Sequence, residues 1–197
     1  MALFTIEGLD SRVAVEKGDS MRRWAGLNLK IKMYEALASE QAFQIFLSHS
    51  YSDASHIELL YEQFQDLGYS VYVDWKTDLE LDRANVTNKT AETIRARMSK
   101  CSALIYVYTD GSRESVWMPW ELGYFDGLNG KVAILPIVPQ SKVATYVGQE
   151  YLGVYPYVDQ EEERRGNGPF FWVNWPGREA MRLSEWLKAS TAAHHSS

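Results

Sequence analysis

The alternation of short apolar runs with longer amphipathic segments decides the fold class of this chain. The runs are FQIFL at 43–47, SVYVD at 70–74, SALIYVY at 102–108 and VAILPIV at 132–138. Between them, apolar side chains recur three and four positions apart, which predicts helices over 54–67, 91–100 and 116–128. Such alternation, with nearly continuous apolar strands, is typical of a parallel sheet covered by helices on both faces. We therefore predict an α/β fold with a central parallel sheet of about five strands.

Glycine and proline residues set the ends of these predicted elements. Gly68 ends the first helix, and Asn129-Gly130 ends the last one. Pro119 has no N–H and fits only in a first turn, so the last helix begins near Val116 or Trp117. Pro136 cannot donate a ladder hydrogen bond, which predicts that the fourth strand is short or lies near an edge of the sheet.

The two ends of the chain have weaker patterns. We interpret residues 1–42 as an N-terminal extension, with an irregular lead-in at 1–18 and an amphipathic helix at 19–41. That helix either packs on the domain edge or binds a partner. The domain itself is predicted over 43–158. Within it we predict a polar loop at 75–90 and a fifth strand at 154–158. After it we predict a charged surface loop at 159–168, a terminal helix at 178–188 packed on the domain, and a disordered tail at 191–197.

Length and charge exclude several classes of protein. The 197 residues suffice for about one domain, on a scale of about 150 residues each. A net charge of −6 argues against sequence-independent nucleic-acid binding, which depends on neutralising phosphates. No apolar run approaches the ~18 residues of a membrane span, and the N-terminus does not resemble a secretory signal. A single cysteine, Cys101, fits a reducing cytoplasm, and the spacing of His, Cys and acidic residues supports no metal site.

The carboxyl ends of the strands are the expected place for a ligand. In open α/β sheets, ligands bind outside these ends, where the strand order reverses and helix N-termini favour anions. The side chains that the pattern brings there are Ser48-His49-Ser50, Asp74-Trp75 and Thr109-Asp110, with the start of the 116–128 helix.

The start of that last helix holds a candidate catalytic acid. Trp117 and Glu121 are four residues apart and can share one face, which Met118 and Phe125 border. A carboxylate beside aromatic rings loses hydration, which makes it a candidate acid, base or charge stabiliser. The alternatives are an exposed acid without a role at Glu121, core packing at Trp117 and helix capping at Ser115. Cys101 is predicted to be a buried small side chain and not a nucleophile.

Three segments in this order, FQIFLSHSYSD, GYSVYVDW and MSKCSALIYVYTDGSRESVWMPWELGYFDG, resemble a TIR (Toll/interleukin-1 receptor) domain of the bacterial kind over about residues 43–138. The resemblance implies a flavodoxin-like fold, here with helical extensions at both ends. Ser48-His49-Ser50 corresponds to the family's serine-rich box, and 75–90 to its variable loop. Ser115, Trp117 and Glu121 correspond to its Ser-x-Trp-x-x-x-Glu motif.

Many TIR domains cleave NAD+ at the bond between nicotinamide and ribose, and the resemblance assigns the catalytic role to Glu121. NAD+ is then a substrate, and no cofactor is expected. An anion beside the ribose stabilises the developing oxocarbenium charge. Attack by water gives ADP-ribose, and attack by an adenine nitrogen or a ribose hydroxyl gives a cyclic ADP-ribose. The resemblance also places substrate binding at Ser48, His49, Asp74, Trp75, Ser115 and Trp117.

The resemblance further implies a homo-oligomer built through TIR–TIR contacts, whose product activates a separate effector protein in antiphage immunity of the Thoeris type. Two other functions stay open at this point. One is a non-catalytic TIR module for assembly and signalling. The other is an enzyme like the nucleoside deoxyribosyltransferases, which also act on ribose with a carboxylate.

Overall fold

All four central apolar runs form strands, and the segments between them form helices. A computed structural model of the protein describes residues 3–16, 42–74, 88–139, 150–162 and 169–190. The strands in these ranges are β1 (Phe4–Thr5), β2 (Phe43–Ser48), β3 (Val71–Tyr72), β4 (Cys101–Tyr108), β5 (Val132–Val138), β6 (Tyr157–Glu162), β7 (Pro169–Asn174) and β8 (Met181–Arg182). The helices are α1 (Ile6–Glu16), α2 (Ala54–Asp66), α3 (Asn88–Met98), α4 (Trp117–Asn129) and α5 (Leu183–Lys188).

The strand order creates one switch point in the sheet. Among the described residues, the sheet runs β3-β2-β4-β5-β6-β7-β8, and β1 pairs separately with β5. The strands from β1 to β6 pair in parallel, whereas the β6–β7 and β7–β8 pairs are antiparallel. From β2 the chain goes outward to β3 and then returns to the other side of β2 to form β4. The crevice at such a reversal is where ligands bind in this class of fold. The predicted α/β fold with a mostly parallel sheet is confirmed.

Helices cover both faces of the sheet, as predicted. One apolar core lies under α1, α2 and α5, and includes Ile57, Phe64 and Trp186. The other lies under α3 and α4, and includes Met98 and Phe125. The helix ends match their punctuating residues, because Gly68 and Gly130 have φ angles of +81° and +68°, in the left-handed region that glycine tolerates.

The N-terminal prediction was wrong. Residues 4–16 are not an irregular lead-in, because Phe4 and Thr5 pair with Ile137 and Val138 of β5 and are followed directly by α1. The Thr5 hydroxyl accepts a hydrogen bond from the Gly8 N–H at 3.1 Å, which caps α1. A strand of two residues is too short to give a periodic signal, and its partner is more than 130 positions away in the sequence.

The prediction for Pro136 was also wrong. β5 is fully buried and has strands on both sides. The Ile134 N–H donates to the Pro156 carbonyl at 2.8 Å, on the β6 side. Since N–H groups two residues apart point the same way, Pro136 presents its missing donor to that side as well. There the neighbour changes from β6, which pairs at Ile134, to β1, which pairs at Ile137, so the proline lies at the change of partners.

The C-terminal part contains more strand and less helix than predicted. The strand predicted at 154–158 corresponds to β6, which covers 157–162. The first residues of the predicted charged loop at 159–168 therefore belong to a strand. The predicted helix at 178–188 is reduced to α5, preceded by β8. Lys131 fixes the end of α5, because its ammonium donates to the carbonyls of Leu187 at 3.0 Å and Ala189 at 2.6 Å.

Several other predictions concern residues outside the described ranges. The helix at 19–41, Trp75 and the tail at 191–197 all lie there. Of the loop predicted at 75–90, only the last residues are described, and they already belong to α3, which starts at Asn88 and not at 91. Among the described residues, no helix is both long and apolar enough to cross a bilayer.

Candidate active site

The first turns of α4 direct Glu121 toward the sheet. Trp117 begins the helix and Pro119 lies in its first turn, as the missing N–H requires. The Ser115 hydroxyl accepts a long hydrogen bond of 3.4 Å from the Met118 N–H, which supports the capping interpretation of Ser115. One turn later, Glu121 is on the buried side of α4, and its exposed fraction is 0%.

Ser48 holds this buried carboxylate. It is the last residue of β2, and its hydroxyl donates a 2.6 Å hydrogen bond to Oε2 of Glu121. A bond this short is typical of a hydroxyl donating to a charged acceptor. The pair joins the carboxyl end of β2 to the start of α4, beside the switch point in the sheet. The predicted catalytic residue Glu121 and the predicted substrate-binding residue Ser48 are therefore in direct contact.

His49 and Asp74 form a second buried pair at the same edge. His49 Nδ1 is 3.0 Å from the Leu47 carbonyl, and a carbonyl can only accept, so Nδ1 carries a proton. Its Nε2 lies 3.5 Å from Oδ1 of Asp74, at the carboxyl end of β3. The pair links the ends of the neighbouring strands β2 and β3, next to residues 75–87 in the sequence.

Tyr106 also belongs to this site, although no sequence pattern predicted it. It pairs in register with Ser48 across β4 and β2, so the two side chains lie on the same face of the sheet. Its hydroxyl bonds the side chains of Ser112 and Tyr151, and burial, the Tyr151 phenol and the Glu121 carboxylate all raise the pKa of Tyr106. A neutral phenol therefore borders Glu121. Two tyrosines two positions apart, Tyr106 and Tyr108, at the end of an apolar strand were the signal that could have identified this face.

Hydrogen bonds stiffen the loop between β4 and α4. The Thr109 hydroxyl donates to Asp53 at 2.7 Å, and the backbone N–H groups of Thr109 and Ser112 each donate to the other residue's hydroxyl. A Cβ at Gly111 would lie 2.7 Å from the Ser52 hydroxyl, so a larger residue here would require the Ser52 side chain to move. The loop before α4 is thereby tied to the start of α2.

Trp117 packs mainly in the core. Its side chain is buried, and its ring meets Trp120 edge-on with centroids 5.4 Å apart. Trp120 in turn stacks on Tyr124, and Arg95 of α3 lies over both rings. This aromatic row stabilises α4 against α3, so Trp117 fixes the orientation of the helix that carries Glu121.

Cys101 is an unreactive thiol, as predicted. Burial raises the pKa of Cys101 to about 12, so the thiolate required of a nucleophile is scarce at neutral pH. Its Sγ is 3.3 Å from the Arg97 carbonyl at the end of α3. In the described part of the chain, no group of three or more His, Cys, Asp or Glu residues has the geometry of a metal site.

Comparisons with known proteins identify relatives of this chain. The chain is 40% identical over 191 residues to a Bacillus cereus (strain MSX-D12) protein named probable 3' cyclic ADP-D-ribose synthase ThsB', a match that covers 95% of this chain and 99% of that protein. A shorter match, 34% identical over 87 residues, covers 44% of this chain and 23% of a putative cyclic ADP-D-ribose synthase TIR2 from Cytobacillus dafuensis.

The family model described as TIR domain matches residues 45–167, more than half of the chain. The resemblance found in the three sequence segments is thus confirmed over a longer range. By this match and by the near full-length relative, the chain belongs to the TIR-domain family.

Proposed function

We propose that this protein is a NAD+ nucleosidase of the cyclase type, which breaks the nicotinamide–ribose bond and closes ADP-ribose into a cyclic ADP-ribose. The observation that carries the proposal is the buried Glu121 carboxylate, held by Ser48 at the switch point of the sheet. The cyclic ADP-D-ribose synthases among its relatives support the choice of substrate and product class.

The chemistry requires one well-placed anion. When the bond between the ribose anomeric carbon and the pyridinium nitrogen breaks, its electron pair moves to the nitrogen and neutral nicotinamide departs. This leaving group is already cationic, so it needs no general acid. The ribose becomes positively charged, and the Glu121 carboxylate stabilises that charge in a site with little water.

Ring closure needs an internal nucleophile. We assign this role to a hydroxyl of the adenosine ribose, because the Bacillus cereus relative is named a probable 3' cyclic ADP-D-ribose synthase. The hydroxyl oxygen bonds the anomeric carbon, and its proton passes to Glu121 and is later released to solvent. Water competes for the same carbon and gives linear ADP-ribose. A site that keeps water away from this carbon suppresses hydrolysis and favours the cyclic product.

The remaining predicted residues act on binding and orientation in this proposal. Ser48 orients Glu121, and His49 with Asp74 borders the nicotinamide ribose at the ends of β2 and β3. Ser115 and Trp117 set the start and the orientation of α4. Trp75, outside the described residues, stacks on a flat ring of the substrate.

The test compares Glu121→Gln with the wild-type chain, using nicotinamide release and chromatography of the products. We expect a loss of at least about 100-fold, the usual cost of removing a charge-stabilising group. The matched control, Glu185→Gln, changes an exposed acid on α5 and leaves turnover unchanged. Full activity of folded Glu121→Gln would refute the assignment.

The same assay distinguishes the other functions when it is run over a range of protein concentrations. We propose that turnover rises with concentration through homo-oligomer formation and that the product activates a separate effector in antiphage defence. Membership of the TIR family supports assembly, and one apolar side chain near the site, Val116 just before α4, is 79% exposed and accessible to a second copy. Intact NAD+ at every concentration would favour a non-catalytic module, and cleavage of nucleosides alone would favour a deoxyribosyltransferase-like enzyme.

A further inference from the structure

Arg113 is a cation anchored at the edge of the proposed active site. It lies in the turn Gly111–Glu114 between β4 and α4. Its Nη2 and Nε donate to the Tyr108 hydroxyl at 2.8 Å and 3.3 Å. The side chain is nevertheless 52% exposed, and its contact with Asp110 is a weak surface ion pair at 3.9 Å. The guanidinium is therefore fixed in place and still accessible to a ligand.

Tyr108 places this cation on the same face of the sheet as Glu121. Tyr106 and Tyr108 are two positions apart on β4, so their side chains share a face and their Cα atoms are about 6.6 Å apart. Tyr106 is in register with Ser48, which binds Glu121. Arg113 thus lies beyond Glu121 toward the carboxyl edge of the sheet.

Acidic side chains lie around the carboxyl edge of the sheet, near Arg113. Among the described residues, the acids at the ends of β2, β3 and β4 and at the start of α4 are Asp53, Asp74, Asp110, Glu114 and Glu121. Such an edge repels an anionic substrate. A guanidinium fork matches the geometry of phosphate oxygens, and Tyr108 uses only Nε and Nη2, so Nη1 has no acceptor in the described part of the chain.

We propose that Arg113 binds the diphosphate of NAD+ and that Tyr108 positions it for this contact. The inference rests on the proposed function and names a specificity residue for it. In NAD+, the diphosphate is separated by one ribose from the bond that breaks. A cation one step beyond Glu121 on the same face meets that requirement, and it selects dinucleotides and ADP-ribose over nucleosides that lack phosphate.

Binding without turnover tests this contact directly. In the full-length Glu121→Gln chain, calorimetry compares ADP-ribose, which has the diphosphate, with adenosine, which does not. We expect Arg113→Gln to weaken ADP-ribose binding about 10- to 100-fold, as for other charge-assisted hydrogen bonds, and to leave adenosine binding unchanged. Arg113→Lys keeps the charge and loses less affinity. The matched control, Lys188→Gln, removes an exposed cation at the end of α5.

Steady-state kinetics with NAD+ gives the second measurement. With Glu121 intact, Arg113→Gln raises KM by a similar factor and changes kcat less than about threefold, the pattern of lost binding common to ground and transition states. Tyr108→Phe keeps the cation but removes its anchor, so KM rises less.

The outcomes separate the two proposals. Wild-type protein that never consumes NAD+ would refute the proposed function. If the wild-type protein consumes NAD+ while Arg113→Gln leaves both KM and the affinity for ADP-ribose unchanged, Arg113 does not contact the diphosphate. If Arg113→Gln lowers only the thermal stability, Arg113 anchors the loop and does not bind the substrate.

Discussion

At the scale of single residues, one hydroxyl determines how the candidate catalytic carboxylate is held. Glu121 is on a helix and Ser48 on a strand, and their 2.6 Å hydrogen bond is a direct link between these two elements at this edge. Because the acceptor is buried, the bond is stronger than the same contact would be in water. The position of the carboxylate therefore depends on β2 as well as on α4.

Replacing Ser48 with alanine tests this dependence. We expect kcat for NAD+ to fall about 10- to 100-fold with little change in KM, since a hydrogen bond to a charged group contributes about 1.5–3 kcal/mol and here acts through orientation. Steady-state nicotinamide release measures both constants. The matched control is Ser70→Ala, which removes a hydroxyl that accepts from the Gln44 N–H at the opposite edge of the sheet. An unchanged kcat would show that Glu121 is held without Ser48.

The sequence predicted only part of this residue-scale arrangement. Glu121, Trp117 and Ser48 were identifiable because a helix start and a strand end are local patterns. Tyr106 was part of an apolar run, and its role depends on its register with Ser48, which no local window contains. Arg113 lies in a loop, and only the hydrogen bond to Tyr108 distinguishes it from an ordinary surface arginine.

At the scale of elements, the hairpin of β6 and β7 shows how pairing overrides composition. The residues DQEE at 159–162 have the composition of a loop, yet they pair with Trp172, Phe171, Phe170 and Pro169 across the hairpin. Their strand conformation depends on apolar partners about ten positions later. The same pairing buries Asp159 to 3% exposure, which is costly for a carboxylate.

Asp159 makes the stability of the protein depend on pH. Burial raises its pKa from 3.8 to about 6, while a hydrogen bond with Asn174 opposes the shift. Between these two values the folded chain keeps a proton that the unfolded chain has lost. The free energy of unfolding therefore falls as the pH rises from about 4 to about 6, and the loss persists at neutral pH.

The variant Asp159→Asn removes this pH dependence. We expect its free energy of unfolding at pH 7 to exceed that of the wild type by about 1–3 kcal/mol, with the gain disappearing below pH 4. Urea unfolding at a series of pH values measures the difference. Asp66→Asn, at an exposed position near the end of α2, serves as the control and should follow the wild-type profile. A gain that is equal at all pH values would show that the charge of Asp159 is not its cause.

At the scale of the whole molecule, β1 brings residues 4 and 5 into contact with strands that come much later in the sequence, β5 and β7. Phe4 is buried beside β5 and contacts Phe171 of β7, with ring centroids 5.5 Å apart. The first described strand is thus packed between elements from the middle and the end of the chain. The central domain was predictable because its strands and helices alternate locally, whereas this contact depends on residues far apart in the sequence.

Truncating Phe4 to alanine tests how much this N-terminal strand contributes. We expect a loss of about 3–5 kcal/mol in the free energy of unfolding, the usual cost of deleting a buried phenyl ring. Chemical denaturation measures it. Arg12→Ala, an exposed change on the adjoining α1, should cost less than about 0.5 kcal/mol. If Phe4→Ala lost no more stability than Arg12→Ala, β1 would add little to the core.

The pairing of β1 with β5 also has a consequence for biosynthesis. During translation Phe4 leaves the ribosome well before its partner Ile137, which is added more than 130 residues later. Until then the backbone of β1 lacks its hydrogen-bond partner in β5, and the Phe4 ring is exposed to water. β1 can therefore take its place in the sheet only after β5 has been synthesised.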